Sequence, residues 1–412
     1  MKRKLLTQML AEWRSNLWLI IELVIVIAVL QFIFSFLCMM SDIHSDNKGY
    51  DLHDIYLADI NAIPSDSPDY HPYDSLHSLV TDRDMLLARL RTNPYVEIVG
   101  IGSGNAMPYN FNYYGQTIGL IDNDTTYTVN ANMRRMSPDV IRAIRLTGIN
   151  GESTEQLASM IEKGDILLSD VDKDFAYQDV DPVIMRGRDV FIGDTSFVRH
   201  VGAIAYGMRR TDFEPLGGPV AYAPLESDRW GGVLVVRVKE GMGDKFIASM
   251  GRDEKSLGNI YLSDLKSINV MRDKAHLNYT QYIRNFTICA AFIMLVIFLG
   301  FLGTFWFRTQ QRVGEIAIRK VNGATDRSIF ARLVNEGLIL LVIGTVITVP
   351  IPVAVLNSGV LDDMGMTFIG NGLIIRAYII TVMVLSALIA LGIWAPARKA
   401  MKVNPAYALK DQ

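Results

Sequence analysis

Cysteine is scarce in this sequence of 412 residues. The two cysteines, Cys38 and Cys289, both lie in long apolar runs, so the sequence provides no disulfide framework. The phosphate-binding pattern G-x-x-x-x-G-K-[ST] does not occur, and no Ser-His-Asp or Cys-His arrangement stands out. The sequence therefore predicts no bound nucleotide or other cofactor and no catalytic centre in this chain, and nothing in it suggests nucleic-acid binding.

Apolar residues are abundant, at 50% of the chain with a mean hydropathy of +0.22, and this favours a membrane protein. A helix that crosses a hydrocarbon core of ~30 Å needs about 20 residues. Four apolar runs are long enough: residues 17–39, 286–307, 338–356 and 377–394. The first run follows a basic lead and has no small-residue cleavage site, so we expect a retained anchor and not a cleaved signal.

Charge is distributed unevenly along the chain. Residues 40–282 include 24 basic and 35 acidic residues, whereas the lead, the 308–332 segment and the tail after Ala397 together include 14 basic and 4 acidic residues. Lys and Arg are retained on the cytoplasmic side of short loops. We therefore expect both termini and the 308–332 segment in the cytoplasm, and a large acidic domain outside. The 357–372 loop, with two aspartates and no Lys or Arg, agrees with an outside position.

The outer segment has the signals of a mixed α+β domain. Three β-branched runs bounded by glycine are typical of strands, and helical patterns lie between them. Ser153 and Gln156 have the spacing of a capping box. The predicted strands are 97–101, 198–204 and 233–238, and the predicted helices are 82–91, 138–146 and 153–161. The predicted fold class is an α-helical four-span transmembrane domain with a large α+β extracytoplasmic domain inserted between spans 1 and 2.

Two groups of residues in the outer domain only partly match metal sites. One group mimics a calcium loop, but Phe175 stands where such a loop needs glycine. Its members are Asp170, Asp172, Asp174 and Asp181. The other group holds four of the six histidines, at spacings that match no zinc motif. Its members are His44, His53, His71 and His77. We predict no metal site.

The segment between the second and third spans combines apolar and charged residues at helical spacing. A helix here would have one apolar and one charged face, and Gly323 offers a stop. The apolar positions are Ile316, Ile318 and Val321, and the charged positions are Glu315, Arg319 and Lys320. Two interpretations remain open on these residues: a helix that docks on a partner, and a solvated linker whose charge only sets the topology.

Two further features concern the membrane helices. Leu5, Leu6, Met9, Leu10 and Trp13 fall at helical spacing beside basic residues, which predicts a helix in the headgroup plane or a simple topology signal. In the third span, two prolines predict a kink near the outer end. These are Pro350 and Pro352.

The basic segment reads Arg312-x-x-Glu315-Ile316-x-Ile318-Arg319-Lys320-x-x-Gly323-Ala324-Thr325, followed by Ile329 and Glu336. This pattern resembles the signature of FtsX-like permeases, a family that includes the MacB-like macrolide exporters and the lipoprotein-release transporters. The tail is similar to the closing segment of the same family, and three stretches of the outer domain are more weakly similar to its periplasmic core domain. Asn322, where an apolar residue is common, departs from the pattern. The resemblance rests on the pattern of the basic segment, on 396–400 and 404–410, and on 165–169, 200–204 and 220–224.

The resemblance implies a permease subunit of an ABC transporter in the inner membrane of a bacterium, with ATP bound by a separate ATPase. It implies a coupling helix that touches the ATPase and a second permease chain in a homo- or heterodimer. It also implies mechanotransmission to the periplasmic domain. The expected result is export or extraction of an envelope substrate, with the help of an adaptor or an outer-membrane channel. A scaffold that activates a cell-wall hydrolase and a peptide-sensing module remain alternatives. The residues implied in ATPase coupling are Glu315, Ile316, Ile318, Arg319, Lys320, Gly323 and Ala324.

The predicted order of segments is an interfacial helix, span 1, the periplasmic domain, span 2, the coupling loop, span 3, a short outer loop, span 4 and a cytoplasmic tail. Their predicted ranges are 1–16, 17–39, 40–282, 286–307, 308–335, 338–356, 357–372, 377–394 and 395–412.

Overall fold

The structure is a computed structural model that describes residues 13–45, 48–73, 77–110, 112–171, 180–216, 218–251, 255–357 and 371–401. The chain divides into two compact units. Met1–Asp42 and Tyr279–Gln412 form the first, which we call the helical unit, and Ile43–Asn278 form the second, which we call the α+β unit.

The described helices are α1 (Trp13–Ser45), α2 (Leu79–Arg91), α3 (Pro138–Ala143), α4 (Thr154–Glu162), α5 (Gly243–Ser249), α6 (Ile268–Gln311), α7 (Val313–Val321), α8 (Asp326–Thr348), α9 (Pro350–Asn357) and α10 (Asn371–Met401). The described strands are β1 (Ile55–Ala62), β2 (Val96–Gly102), β3 (Gly115–Asp122), β4 (Thr125–Met136), β5 (Ile166–Ser169), β6 (Asp189–Ile192), β7 (Asp194–Ala205), β8 (Val220–Pro224), β9 (Gly232–Val238), β10 (Ser256–Leu257) and β11 (Ile260–Ser267).

Four helical stretches are long and apolar enough to cross a membrane: α1, α6, α8 with α9, and α10. Each contains one of the four predicted apolar runs. Their inward side chains form one shared core, represented by Ile27 of α1, Phe301 of α6, Leu340 of α8 and Ile389 of α10. Other apolar side chains on the same helices point outward, as expected where the surroundings are lipid and not water.

Glycines let these helices approach one another closely. A Cβ at Gly337 of α8 would lie 2.6 Å from the Ile389 side chain of α10, and one at Gly392 of α10 would lie 3.2 Å from Phe301. Small residues at helix interfaces are a common means of packing in membranes, where close van der Waals contact replaces the hydrophobic effect.

At the predicted proline kink the third apolar helix is interrupted by one residue, Val349, whose own backbone angles remain helical. Helix α8 ends at Thr348 and α9 begins at Pro350. Because Pro352 has no N–H, the carbonyl of Thr348 lacks the donor four residues ahead that an α-helix normally provides. The hydroxyl of Tyr378 on α10 donates to that carbonyl at 2.7 Å. A neighbouring helix therefore supplies the hydrogen bond that proline removes.

Part of the α+β unit is a five-stranded antiparallel sheet in the order β10-β11-β1-β9-β2. In β9, side chains alternate between two cores because successive residues of a strand point to opposite faces. Val233 and Val235 face the core that includes α3 and α4, whereas Leu234 and Val236 face the core that includes α2 and α5. The continuous β-branched run of β9 thus reflects burial on both faces.

The remaining strands form a closed ring. The pairings run β4-β3-β6-β7-β5-β8, and β8 also pairs with β4 in parallel. A third core lies within this ring and includes Ile118, Met133, Leu168, Ile204 and Ala221. The ring joins the five-stranded sheet through a pair between β2 and β4, Gly102 with Met136.

The predicted strands and helices of the α+β unit are confirmed as β2, β7, β9, α2, α3 and α4. Both hydrogen bonds of the Ser153 capping box are present. Helix α3 ends at Ala143, short of the predicted residue 146, because Arg145 has a left-handed backbone with φ of 50°. The β3–β4 hairpin was not predicted. Asn123, at its turn with φ of 53°, is the residue that could have indicated it.

Candidate functional site

The candidate site is α7, which follows α6 after one residue and precedes α8 after a short corner. Its inner face belongs to the core of the helical unit: Ile316 is 7% exposed and Ala317 is 2% exposed. Ile316 packs in the same core cluster as Phe305 of α6 and Ile329 of α8. The amphipathic pattern of the sequence therefore attaches this short helix to the bundle.

The corner after α7 is a complete Schellman motif. Gly323 has φ of +85°, the left-handed conformation that favours glycine. The N–H of Gly323 donates to the carbonyl of Lys320 at 2.9 Å, and the N–H of Ala324 donates to the carbonyl of Arg319 at 3.0 Å. Thr325 then caps α8 by accepting from the N–H of Ser328. The Gly-Ala-Thr sequence thus ends one helix and begins the next within four residues.

A buried ionic cluster fixes the other end of α7. Glu336 of α8 is 4% exposed, and its carboxylate lies 3.0 Å from Arg312 and 3.4 Å from Arg308. Arg312 is the N-cap residue of α7, and Arg308 lies on the last turn of α6. Removal of one partner would leave an uncompensated buried charge, so the three side chains depend on one another for their burial. Glu336 therefore fixes α7 relative to two long helices.

The outer face of α7 carries an apolar pair, which we call the exposed pair: Ile318 at 49% and Val321 at 66% exposure. These residues are three apart and so share one face of the helix. Charged residues surround them in ion pairs. The pairs are Glu315–Arg319 at 2.7 Å, Glu315–Arg332 at 3.6 Å and Lys320–Asp326 at 2.9 Å. The arrangement offers an apolar contact within a polar rim, which suits a protein partner.

The structure places the seven predicted coupling residues in three locations. Ile318, Glu315, Arg319 and Lys320 lie on or around the outer face, whereas Gly323 and Ala324 form the corner. Ile316, which was also predicted to contact the ATPase, is 7% exposed and packs in the bundle core.

Sequence reasoning also missed residues. Val321 was recognised as an apolar position of this helix but was not assigned to the coupling site. The ion pairs of Glu336 were not predicted, because an apolar run gives no sign of a buried ion pair. Arg332 is 20% exposed in its side chain and lies beside Glu315, so it belongs to the rim of this site.

The other predicted features lie apart from α7 in the sequence. Within the described ranges, no group of three or more His, Cys, Asp or Glu side chains is arranged to hold a metal ion. His44 stacks on Phe213, and the backbone N–H of His71 donates to Asn259. Asp172, Asp174, most of the 1–16 lead and the tail after residue 401 lie outside the described residues.

Comparison with known proteins identifies the part of the chain that holds α7. Residues 287–405 match the FtsX-like permease C-terminal family. No curated protein is significantly similar to the chain. Among solved structures, the chain is similar to the extracellular domain of the noncanonical ABC-type transporter YknZ from Gram-positive bacteria, at 11% identity over 50% of this chain and 100% of that one. The TM-score is 0.31, which does not establish a common fold. Residues 287–405, which include α7, are therefore similar to the C-terminal domain of FtsX-like permeases.

Proposed function

We propose that this chain is the membrane subunit of an ABC transporter and that α7 is the surface on which its separate ATPase subunit sits. The observation that carries the proposal is the combination of a firm attachment and an exposed apolar face. Glu336 holds one end of α7, the Schellman corner holds the other, and Ile316 anchors the middle. Ile318 and Val321 remain uncovered on the described surface.

Such an element transmits force well. A helix held at both ends moves as a body with α6 and α8, and these continue into the predicted second and third spans. When ATP closes the ATPase subunits, displacement of α7 would therefore displace both spans. The chain needs no nucleotide site of its own for this role, which agrees with a sequence that has no phosphate-binding loop.

The charge distribution supports an orientation. The 24 basic against 35 acidic residues of 40–282 favour an outside position for the α+β unit, and the basic 308–332 segment favours the cytoplasm. In this arrangement two copies, or this chain and a related one, would carry two ATPase subunits. Their outer domains would move an envelope substrate by mechanotransmission, without carrying it through the bilayer.

Reconstitution tests the proposal directly. The purified chain alone should show no ATP hydrolysis, and co-purification with a P-loop ATPase should give a complex that hydrolyses ATP faster than the ATPase alone. Turnover by the chain alone, after contaminating ATPases are excluded, would reject the division of roles.

Topology is tested separately with reporter fusions. A reporter at Asn150, which lies in the loop between α3 and α4, should read outside, and one at Thr325, in the corner after α7, should read cytoplasm. If both reporters read the same side, the proposed orientation is rejected. That result would not decide whether α7 contacts the ATPase.

A further inference from the structure

A buried carboxylate in the α+β unit joins two distant parts of the chain. Asp212 is 1% exposed and lies in the loop between β7 and β8. One carboxylate oxygen lies 2.5 Å from the Lys48 ammonium and accepts from the Tyr109 hydroxyl at 3.0 Å. The other lies 2.7 Å from Arg272 and 3.4 Å from His276. We call these five residues the Asp212 cluster.

The cluster is charged at neutral pH. Burial alone would raise the pKa of Asp212, but the hydrogen bond and charge of Lys48 and the charge of Arg272 bring it below its ordinary value. Burial and the nearby Asp212 carboxylate raise the pKa of Tyr109, so the phenol keeps its proton and donates it in a hydrogen bond. Asp212 is therefore a carboxylate that holds two cations from different segments.

Those segments are the two ends of the α+β unit. Lys48 lies on the incoming segment, of which residues 43–45 and 48–50 are described, and Arg272 and His276 lie on the outgoing segment, residues 268–278. The residues that flank Asp212 hold the same two segments. Arg209 donates to the carbonyl of Ile43 at 2.6 Å.

The ring of Phe213 adds contacts to both ends: its centroid lies 5.1 Å from that of His44 and 4.9 Å from that of His276. One loop thus holds the chain where it enters this unit and where it leaves.

The loop itself is fixed to the ring of strands. The Tyr222 hydroxyl on β8 accepts from the N–H of Met208 at 2.7 Å and donates to the carbonyl of Tyr206 at 2.9 Å. Arg134 on β4, which is 3% exposed, donates to the carbonyl of Met208 at 3.0 Å. Hydrogen bonds and ion pairs therefore connect the incoming and outgoing segments, through Asp212 and its loop, to the strands of the ring.

We propose that Asp212 is a positioning residue for force transmission: it fastens the incoming and outgoing segments to one loop, so that the two helices that continue from them displace the α+β unit together. This inference rests on the proposed function, since it needs an ATPase-driven movement to transmit. A purely structural cluster would stabilise the unit without affecting that movement.

The test uses the full chain with its ATPase in nanodiscs. Spin labels at Thr195 on β7 and at Arg327 on α8, in a background with Cys38 and Cys289 replaced by serine, report the distance between the two positions with and without a non-hydrolysable ATP analogue. The parent should show a nucleotide-dependent shift, and Asp212→Asn should lose it while the ATPase still co-purifies.

Hydrogen exchange separates the two attachments. Lys48→Met should speed amide exchange in 43–50, Arg272→Met should speed it in 268–278, and Asp212→Asn should speed it in both, by about tenfold or more. Arg188→Gln is the matched control, because it breaks an ion pair of 2.8 Å with Asp122 at an exposed site and should leave the shift intact.

The outcomes are distinct. A parent shift that persists in Asp212→Asn overturns the positioning role alone. A parent that shows no shift, although its ATPase is bound and active, rejects the proposed function and this role with it. If Asp212→Asn does not fold, the two single variants decide, since each leaves Asp212 one cation: persistence of the full shift in both overturns the proposal.

Discussion

The double replacement Ile318→Ala with Val321→Ala tests the docking surface most sharply. Both side chains project from the outer face of α7, whereas Ile316 on the inner face belongs to the core of the helical unit. Truncation of the exposed pair should therefore weaken the contact with the ATPase and leave the fold of the chain unchanged.

The magnitude follows from the exposed fractions. Full burial of an Ile or Val side chain contributes about 1.5–3 kcal/mol. Ile318 is 49% and Val321 is 66% exposed, so about half to two thirds of that contribution is still available to a partner. Alanine retains the Cβ, which leaves a loss of about 1 kcal/mol for each residue. The pair should lose about 2 kcal/mol, or about 30-fold in Kd.

The assay is titration of the ATPase onto the chain in nanodiscs, with stimulated ATP hydrolysis as a second readout. Arg327→Ala is the control, because this exposed residue lies on the first turn of α8 and an exposed charge contributes only about 0–1 kcal/mol. Ile316→Asp serves as a fold control: it places a carboxylate in the bundle core and should reduce insertion or stability before any binding is measured.

A double variant that inserts normally and binds the ATPase with the parent's Kd would refute the reasoning. In that case α7 would be only a connector between α6 and α8. A loss in Arg327→Ala as large as that in the double variant would place the contact elsewhere on this surface.

Three further predictions concern single residues. Gly323→Ala should lower the stability of the helical unit by about 1–2 kcal/mol, because the φ of Gly323 is +85°, and Gly323→Asn should lower it less. Thermal unfolding in detergent compares the two variants. An alanine variant as stable as the parent would contradict the left-handed backbone at this corner. Glu336→Gln should lower the stability by about 3 kcal/mol in the same assay, because it removes the buried carboxylate that pairs with Arg308 and Arg312. A loss of stability no larger than that of Arg327→Gln would show that these ion pairs contribute little. The native pKa of Asp212 lies below the ordinary value of 3.8, so its stabilising contribution is present above about pH 4 and is lost as the pH falls through the native pKa. The difference in unfolding midpoint between parent and Asp212→Asn should therefore stay constant from pH 7 to 5 and shrink below about pH 4. A difference that grows on acidification would contradict the lowered pKa.

The sequence predicted those features that depend on local patterns. The apolar runs predicted the long helices because length and hydropathy decide whether a helix can cross a bilayer. Gly323 predicted the end of α7 because a left-handed residue after a helix is most often glycine. Ser153 and Gln156 predicted the start of α4 because a capping box is a local pair of hydrogen bonds.

Features that depend on distant residues were not predictable in this way. Ile316 and Ile318 are equally apolar, and only the packing of α6 and α8 determines which is buried. Asp212 is 164 positions from Lys48 in sequence, so no local pattern could pair them. Closure of the six-stranded ring likewise depends on the parallel pairing of β4 with β8, which are far apart along the chain.

The break between α8 and α9 limits where the third span can bend. In hydrocarbon, a carbonyl without a donor is costly, so a replacement donor favours one position for the prolines over others. Tyr378 provides it at Thr348 and at no neighbouring turn among the described residues of α8. The position of the bend therefore depends on residues of two helices, the prolines of α9 and the tyrosine of α10. Moving the prolines by one turn would require the hydroxyl to move by one turn on α10.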